Sequence, residues 1–402
     1  MTVAEKMHDL SAIWRHSAFV FPHFHRRSIN WDETYREFIP RVLETKSDRE
    51  HCLLMAEFVN LLGDGHTDVS FKWDILRESG ILPFSLDYAE GCYWVDGQKV
   101  LGFDGRPMAE ILEEAARYVY RVGTYIPRLR YILSLILGPG AHTLDTQRGN
   151  HKFLMQTEPP KILRREQTEF RQYGDILYIG FDDLLRDRAP EIRRKLLEVK
   201  PRAVILDIRE NIGGMTKFGA NIAQLFISGQ FGGCKKWTRT MTGVGYASAC
   251  QILNMSEEQL AAISGREARA EMEKSLRVAK LADFEEYEDQ WGETDVKAVF
   301  DGQVVLLTSR RTISAAEDFA AFFRANNRGI LVGEPTCGTT GTPLLKGLNC
   351  GTLRVCSVGY TLRDGIEFLG IGILPDVAVE PKMEDLLRGR DEVLEIAMIH
   401  CK

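Results

Sequence analysis

The 402-residue sequence predicts an α/β fold, in which a helical N-terminal subdomain and a small α+β segment precede an α/β core. Two observations support this class. Apolar residues recur at helical spacing through the first 65 residues, and short apolar strand patterns alternate with amphipathic helical patterns from about residue 171 onward. Alternation of this kind predicts a mostly parallel sheet covered by helices. We place the domain boundaries at 1–66, 67–170 and 171–402.

The N-terminal half changes pattern three times. Helical spacing is clear in WDETYREFIPRVLE and in HCLLMAEFVNLLGDG, and two glycines end the second pattern. Short strands are expected from 67 to 105, in TDVSFKW, GCYWVDG and KVLGFDG. Helix is expected again from 107 to 137. The polar stretch from 139 to 171 is expected to carry strands and a linker.

The core begins with two short apolar strands, ILYIGF and AVILDIR, separated by the amphipathic pattern APEIRRKLLEV. A helix, KFGANIAQLFI, follows a Gly-Gly turn. The later strands are expected in GQVVLLTS, GILVGEP, TLRVCSVGYTL and VAVEP, with a helix after Ser314. A charged helical insertion at about 256–291 interrupts this rhythm, and it could be a lid, a docking surface or a solvated excursion.

Charge and composition exclude several classes of protein. The net charge is -6, from 51 basic and 57 acidic residues, so no general attraction to nucleic acid or to anionic membranes is expected. The N-terminal stretch lacks an apolar segment with a small-residue cleavage site, so a signal peptide is not expected. No run of about 18 apolar residues indicates a membrane span. The eight cysteines form no C-x-x-C pair, which favours reduced thiols and a cytoplasmic location.

Metal and cofactor sites are not apparent in the sequence. His23 and His25, in FPHFHRR, could share one face of a strand, but no further ligands occur at a matching spacing. We therefore interpret both histidines as surface or packing residues, and we expect neither a metal nor another cofactor.

Three segments contain candidate catalytic residues. In RRTISAAEDFAAFF (310–323), Ser314 lies between a strand and a helix, and Glu317 completes a Ser-x-x-Glu capping box. A serine at such a junction can be a simple helix cap, or it can expose its hydroxyl beside the amide groups of a helix N-terminus. In VILDIRENIGGM, Gly213 and Gly214 allow close backbone approach to a ligand, although a plain turn explains them too. In LLGDGHTDVSF, His66 lies in a loop, where a single histidine is often incidental.

Taken together, these segments resemble the serine peptidase family of C-terminal processing (tail-specific) peptidases and the tricorn core peptidase. The resemblance rests on five motifs that occur in the family's order along nearly the whole chain. They are Asp64-Gly65-His66-Thr67, Asp207-Ile208-Arg209-Glu210-Asn211-Ile212-Gly213-Gly214, Ser314-Ala315-Ala316-Glu317, VGEPTCG (332–338) and DGIEFLGIGILPDV (364–377). The resemblance implies a crotonase/ClpP-like ββα catalytic core.

The resemblance also implies roles for individual residues. Ser314 would be the nucleophile, and the amide of Ala315, with that of Gly213 or Gly214, would form the oxyanion hole. Members of the family activate the serine with either a lysine or a histidine. The lysine position is Thr339 in this sequence, and the next lysine is Lys346. The sequence is therefore similar to the tricorn-like branch, in which the histidine of the Asp-x-His-Thr turn is the base.

That histidine is His66. We expect its imidazole to work near neutral pH without a large perturbation. Two positions depart from the tricorn-like pattern: Gly65 replaces a serine, and Leu369 replaces a glutamate. Glu367 lies two residues earlier and would point to the same side of a strand, so it is the candidate that orients the imidazole. Asp64 and Asp364 are alternatives.

The resemblance implies a serine-type endopeptidase or oligopeptidase that acts on peptides or proteins through an acyl-enzyme, with no cofactor. The alternative is a non-catalytic ligand- or peptide-binding protein on the same scaffold, which the changes at Gly65 and Leu369 favour. A third hypothesis is the same chemistry directed at one dedicated precursor and narrowed by the charged insertion. The sequence does not indicate an oligomeric state.

Overall fold

The computed structural model describes residues 1–120, 126–159, 165–240, 252 and 255–401. It confirms the α/β class, with a helical N-terminal region. Thirteen helices occur within the described residues, in addition to a 3₁₀ turn at Phe24–Arg26: α1 (Val3–Val20), α2 (Trp31–Glu44), α3 (Asp48–Asn60), α4 (Trp73–Ser79), α5 (Met108–Ala115), α6 (Ile126–Leu137), α7 (Ala189–Val199), α8 (Thr216–Ala223), α9 (Glu257–Ala261), α10 (Arg266–Ala279), α11 (Ala315–Ala325), α12 (Met383–Leu387) and α13 (Glu392–His400).

The strands of the described residues are short, as the sequence indicates. They are β1 (Asp68–Phe71), β2 (Asp87–Ala89), β3 (Cys92–Val95), β4 (Gln98–Phe103), β5 (Arg106–Pro107), β6 (Ala141–Thr146), β7 (Gly149–Leu154), β8 (Glu169–Tyr173), β9 (Ile176–Gly180), β10 (Ala203–Asp207), β11 (Cys234–Arg239), β12 (Phe284–Glu288), β13 (Gln303–Thr308), β14 (Ile330–Gly333), β15 (Pro343–Gly347), β16 (Gly351–Cys356), β17 (Gly359–Leu362) and β18 (Val377–Ala378).

The chain forms two compact units, each made of three segments. The first unit comprises Met1–Phe71, Lys236–Tyr287 and Gly341–Gly359, and the second comprises Lys72–Lys235, Glu288–Thr340 and Tyr360–Lys402. The domain boundaries drawn from the sequence, at residues 66 and 170, stay predictions. Within the described ranges, none of the helices has the length and apolar character needed to cross a membrane.

A six-stranded sheet organises the second unit, in the order β18–β14–β13–β10–β9–β8. Neighbouring strands from β9 to β18 are parallel, and only the edge strand β8 is antiparallel to its neighbour. Every residue of β9 and β10 is buried, as in sheets covered on both faces. Because β10 and β13 are parallel and in register at Asp207 and Leu307, the segments that follow them leave the same edge of the sheet. These segments contain the Gly-Gly turn and Ser314.

Apolar helices cover both faces of this sheet. On one face, α13 buries Val393, Leu394 and Ala397 against the valines and isoleucines of the strands. On the other face, phenylalanines of α11 pack together, with the rings of Phe319 and Phe323 5.0 Å apart. The second unit also contains an antiparallel sheet, in the order β2–β3–β4–β6–β7, with β5 paired to β4.

Helices α1, α2 and α3 of the first unit begin where the sequence supplies capping residues. The side-chain oxygens of Thr2, Asn30 and Ser47 each accept a hydrogen bond from the backbone amide three residues later. Stacked rings of Trp31 and Phe58, 4.5 Å apart, join α2 to α3. The unit also contains a three-stranded antiparallel sheet, in the order β1–β16–β15.

Two expectations about secondary structure were wrong. Residues Trp73–Ser79 form helix α4, although the sequence predicted only strands between 67 and 105. The charged insertion is helical only in α9 and α10; its end, Phe284–Glu288, is strand β12, which lies beside β11. The prediction of helix was wrong there because the charged side chains of β12 are exposed and show no alternation of apolar and polar residues that would indicate a strand.

Candidate active site

Ser314 lies at a strained junction between strand and helix. It is the N-cap residue of α11 and has φ 62° and ψ -127°, a left-handed conformation that costs free energy for any residue but glycine. The residue is half-buried. Strain of this kind is found at nucleophiles that stand on a sharp turn between a strand and a helix.

The Gly-Gly turn lies directly against Ser314. A Cβ atom at Gly213 would be 2.8 Å from the Cβ of Ser314 and 2.9 Å from the backbone nitrogen of Ala315. Gly213 also has φ 86°, so both space and backbone conformation require glycine. The turn after β10 and the start of α11 therefore form one compact backbone site.

Two backbone amides of this site are available to a ligand. The amide of Gly213 donates a hydrogen bond to Oδ1 of Asn211 at 2.9 Å. Of the two glycine amides that were candidates for the oxyanion hole, only that of Gly214 is therefore left. Among the described residues, the amides of Gly214 and Ala315 donate no hydrogen bond. Ala315 is the first residue of α11, where the helix itself offers no acceptor.

Glu317 supports the Ser314 segment from within the protein. Its carboxylate is 0% exposed and accepts hydrogen bonds from the hydroxyl of Thr336 at 2.5 Å and from the amides of Gly338 and Thr339 at 2.7 and 2.8 Å. It also lies 3.4 Å from the amide of Ser314, which completes one half of the capping box. Burial raises the pKa of Glu317 to about 8. The Ser-x-x-Glu spacing indicated only a cap; it did not reveal the second role of holding the segment from 336 to 339.

Replacing Glu317 by alanine is expected to destabilise the protein by about 2–4 kcal/mol, because several buried donors lose their acceptor. Glu317→Gln should cost less, since it keeps one oxygen and the side-chain volume. The measurement is the free energy of unfolding in urea. Glu384→Ala is the control, since Glu384 is an exposed partner of Arg388 and should change stability by less than about 0.5 kcal/mol. If Glu317→Ala and this control changed the free energy of unfolding by the same amount, Glu317 would not support the Ser314 segment.

The Asp207-x-Arg209 part of the second motif forms an ion-pair network beneath the site. The carboxylate of Asp207 accepts from the hydroxyl of Tyr178 at 2.6 Å and from Nε of Arg209 at 3.0 Å. Burial opposes ionisation, but Arg209 and Arg165 prevail and lower the pKa of Asp207 to about 2. Nη2 of Arg209 also donates a hydrogen bond to Oδ2 of Asp391 at 2.7 Å. These residues hold the end of β10 in place, a role that the motif alone did not reveal.

His66 belongs to the first unit, where Asp64 fixes the turn that carries it. Oδ2 of Asp64 accepts from the hydroxyl of Thr67 at 2.6 Å and from the amide of His66 at 3.2 Å. Burial, and after it the charge of Arg354, lowers the pKa of His66 to about 3. The expectation of an unperturbed imidazole near neutrality is thus wrong, because the sequence does not reveal that this loop is buried.

The three candidate orienting carboxylates lie in different surroundings. Glu367 is exposed and lies outside any strand, so the strand alternation that related it to Leu369 does not apply. Asp364 is exposed in a turn, where its Oδ1 accepts from the amide of Ile366. Asp64 is buried and contacts the backbone of His66. Burial raises the pKa of Asp64 to about 6.

Neither of the two positions considered for a lysine base, Thr339 and Lys346, offers an obvious one. Thr339 is buried in the loop that Glu317 holds, and its carbonyl accepts from the amide of Ser314 at 3.0 Å. Lys346 is exposed on β15.

Buried histidines predict how stability depends on pH. The pKa of His23, like that of His66, is lowered to about 3, by burial and by nearby arginines. The unfolded chain binds these protons near pH 6.5 while the folded chain does not, so each buried histidine lowers the free energy of unfolding as pH drops from about 6.5 towards 4. Asp64 and Glu317, whose pKa values are raised, contribute in the opposite direction over the same range. Urea titrations at several pH values measure this. Relative to the unmodified protein, His23→Phe should become more stable as pH drops over this range, because it lacks the penalty of His23. A stability difference that does not change with pH would contradict the burial of a neutral ring.

Two groups of side chains could hold a metal ion, and neither group was identified from the sequence. Asp9, His51 and Cys350 form one group, and His23, Asp64 and Cys356 form the other; all six are buried, and the ligand atoms of each group lie within 4.8 Å of one another. His23 therefore packs inside the first unit with potential ligands from distant segments, whereas His25 is exposed and stacks on Phe284.

Comparison with known proteins identifies the family. Residues 175–379, more than half of the 402-residue chain, match the sequence model of peptidase family S41. The chain belongs to peptidase family S41. This family consists of serine proteases, and the protein is a serine peptidase, a hydrolase whose substrates are peptides or proteins. The matched residues include Ser314, Gly213 and Gly214.

Solved structures show the same fold as this S41 peptidase at low sequence identity. Mature CPAF complexed with lactacystin is 14% identical, has a TM-score of 0.70, and covers 98% of this chain and 97% of its own. The photosystem II D1 C-terminal processing protease is 13% identical, with a TM-score of 0.53 and 94% coverage of both chains. No curated protein matches this chain significantly.

Proposed function

We propose that this S41 peptidase cleaves peptide bonds through an acyl-enzyme formed on Ser314, with His66 as general base. The hydroxyl oxygen of Ser314 attacks the carbonyl carbon of the substrate, and its proton passes to the imidazole. The imidazolium then gives that proton to the departing amine. Water, deprotonated by the same imidazole, hydrolyses the ester and frees Ser314.

The observation that carries the proposal is the backbone of Ser314. Its strained φ of 62°, at the N-cap of α11 and in contact with Gly213, is costly to keep unless the hydroxyl needs that placement. The amides of Ala315 and Gly214 have no partner among the described residues, so they are our proposed donors to the oxyanion. Loss of one such donor typically costs about 3–4 kcal/mol of transition-state stabilisation.

His66 is proposed as the base because it lies in the Asp64-Gly65-His66-Thr67 turn, which matches the histidine motif of the family. With a pKa of about 3 its ring is unprotonated throughout the neutral range, although it is a weak base. Forming an imidazolium in a buried position is costly. The developing oxyanion and an orienting carboxylate would have to offset that cost. Glu367 remains our proposed orienting residue, with Asp64 and Asp364 as alternatives. Thr339 and the exposed Lys346 do not favour the lysine branch, which supports the tricorn-like, histidine-using assignment.

The substrate would be a peptide or an unfolded protein segment. A dedicated precursor remains a narrower form of the same proposal, with the charged insertion as the selective element. We also propose a cytoplasmic location, which is supported by seven free cysteines among the described residues.

The proposal is tested by incubating the purified protein with a denatured protein substrate and identifying new termini by mass spectrometry. We expect new termini to accumulate in proportion to the amount of enzyme. Ser314→Ala, purified in the same way, is the control for contaminating proteases. Binding of the substrate without any new termini would contradict peptidase activity and favour a binding function.

A further inference from the structure

Four buried side chains with metal-binding chemistry lie in the first unit, and the proposed reaction uses none of them. They are Asp9 on α1, His51 and Cys52 on α3, and Cys350 immediately before β16, and each is 0% exposed. The ligand atoms of Asp9, His51 and Cys350 lie within 4.8 Å of one another. The thiol of Cys52 lies beside that of Cys350 and would complete the set, although its sulfur is not within 4.8 Å of all three of these atoms. Thiolate, imidazole and carboxylate are the ligands of tetrahedral zinc sites.

Within this cluster one hydrogen bond is long, and one ring nitrogen has no hydrogen-bond partner among the described residues. Nε2 of His51 lies 3.4 Å from Oδ2 of Asp9, whereas a charge-assisted hydrogen bond is about 2.7–2.9 Å long. Nδ1 of the same ring is buried and has no hydrogen-bond partner among the described residues. Two ligands bonded at about 2.0–2.2 Å to a tetrahedral zinc ion are themselves about 3.3–3.6 Å apart. The separation of the imidazole and carboxylate atoms suits a shared metal better than a shared proton.

The carboxylate of Asp9 is already oriented by groups outside the cluster. Its Oδ1 accepts from the backbone and side-chain nitrogens of Asn349 at 2.6 and 2.9 Å, and its Oδ2 accepts from the amide of Cys350 at 2.9 Å. Burial opposes ionisation, but hydrogen bonds from His51, Asn349 and Cys350 prevail and lower the pKa of Asp9. Carboxylate ligands of metals are commonly held by such outer hydrogen bonds.

An ion pair between Asp9 and His51 explains only part of this arrangement. It accounts for Nε2 of the ring and for the contacts of the Cys350 thiol with His51 and Asp9, and it leaves out the thiol of Cys52. A disulfide between Cys52 and Cys350 would account for the thiols alone. A metal ion uses all four side chains.

We propose that Asp9, His51, Cys52 and Cys350 form a structural zinc site. Each thiol loses its proton to solvent as its sulfur bonds to the metal, while Asp9 binds as the carboxylate and His51 as the neutral imidazole. All four positions of a tetrahedral site are then filled by protein, so the ion would stabilise the fold and take no part in the chemistry.

The position of the site explains what it would stabilise. It joins α1, α3 and the turn that precedes β16. Helix α3 leads into the loop that holds His66, and β16 pairs with β1, the strand that follows His66. By binding residues of α3 and residues next to β16, the ion would stabilise both elements that hold this loop within the first unit.

The test uses the full-length protein purified without chelators. We expect about one equivalent of zinc by elemental analysis. After removal of zinc and addition of Co²⁺, we expect the near-ultraviolet absorption that thiolate–cobalt bonds give. Cys52→Ser and Cys350→Ser should each lose about half of this absorption. Cys356→Ser, which removes the thiol of the other group of potential ligands, is the matched control and should keep all of it.

A measurement on the unmodified chain keeps the test decisive if a serine variant fails to fold. Zinc added to the metal-free protein should raise the midpoint of thermal unfolding, and Mg²⁺ at the same concentration should not. The proposal is overturned by unmodified protein that binds no zinc, by a cobalt spectrum without thiolate absorption, by loss of that absorption in Cys356→Ser, or by a Cys52–Cys350 disulfide in protein kept under reducing agent.

Discussion

Ser314→Ala is expected to lower kcat by about 10⁴-fold or more, the scale of effect seen when a catalytic nucleophile is removed. The hydroxyl forms the covalent bond to the substrate, so no neighbouring group can replace it. The protein should remain folded, because the change removes one oxygen from a half-buried residue. Ser70→Ala is the matched control, since Ser70 is exposed on β1.

A second substitution at Ser314 separates strain from chemistry. Ser314→Gly should be equally inactive, yet more stable by up to about 1 kcal/mol, because glycine adopts a φ of 62° without strain. The free energy of unfolding and kcat are measured on the same preparations. Activity near that of the unmodified enzyme in either variant would refute the assignment of Ser314.

His66→Ala is expected to lower kcat/KM by at least roughly a hundredfold, the usual effect of losing a general base. Lys346→Ala should remain close to the unmodified enzyme, because Lys346 is exposed on β15. Glu367→Gln should show an intermediate loss if Glu367 orients the imidazole, and Asp364→Asn tests the alternative. An inactive Lys346→Ala beside an active His66→Ala would indicate a serine–lysine enzyme instead.

The pH profile gives a second measure of the role of His66. Because the pKa of His66 is about 3, protonation should remove the base only as pH falls towards that value. The acid limb of kcat/KM should therefore lie below about pH 5, and not at the usual pKa of imidazole. An acid limb between pH 6 and 7 that disappears in His66→Ala would mean that this ring is less buried in the working enzyme.

The sequence was sufficient to predict the α/β class and the family. Buried strands such as β9 and β10 are continuous apolar runs, and the motifs around Ser314 and Gly213 lie within short local segments. Local patterns of this kind can be recognised without knowing what surrounds them.

Features that depend on distant contacts could not be predicted in this way. Burial of the loop at His66 shifts its pKa, and no local pattern reports burial. Glu317 was recognisable as part of a capping box, but its bonds to Gly338 and Thr339 arise from tertiary structure. Likewise, Asp9 and Cys350 are separated by most of the chain, so no spacing rule for metal ligands could bring them together.

The most direct test of the central claim is covalent labelling of the full-length protein with a fluorophosphonate probe, which reacts with activated serine hydroxyls. The modified peptide is identified by mass spectrometry after digestion. We expect a single adduct on Ser314, which should be absent from Ser314→Ala and much slower to form in His66→Ala. Absence of an adduct, or an adduct on another serine while Ser314 stays unmodified, would contradict the assignment of Ser314 as the nucleophile.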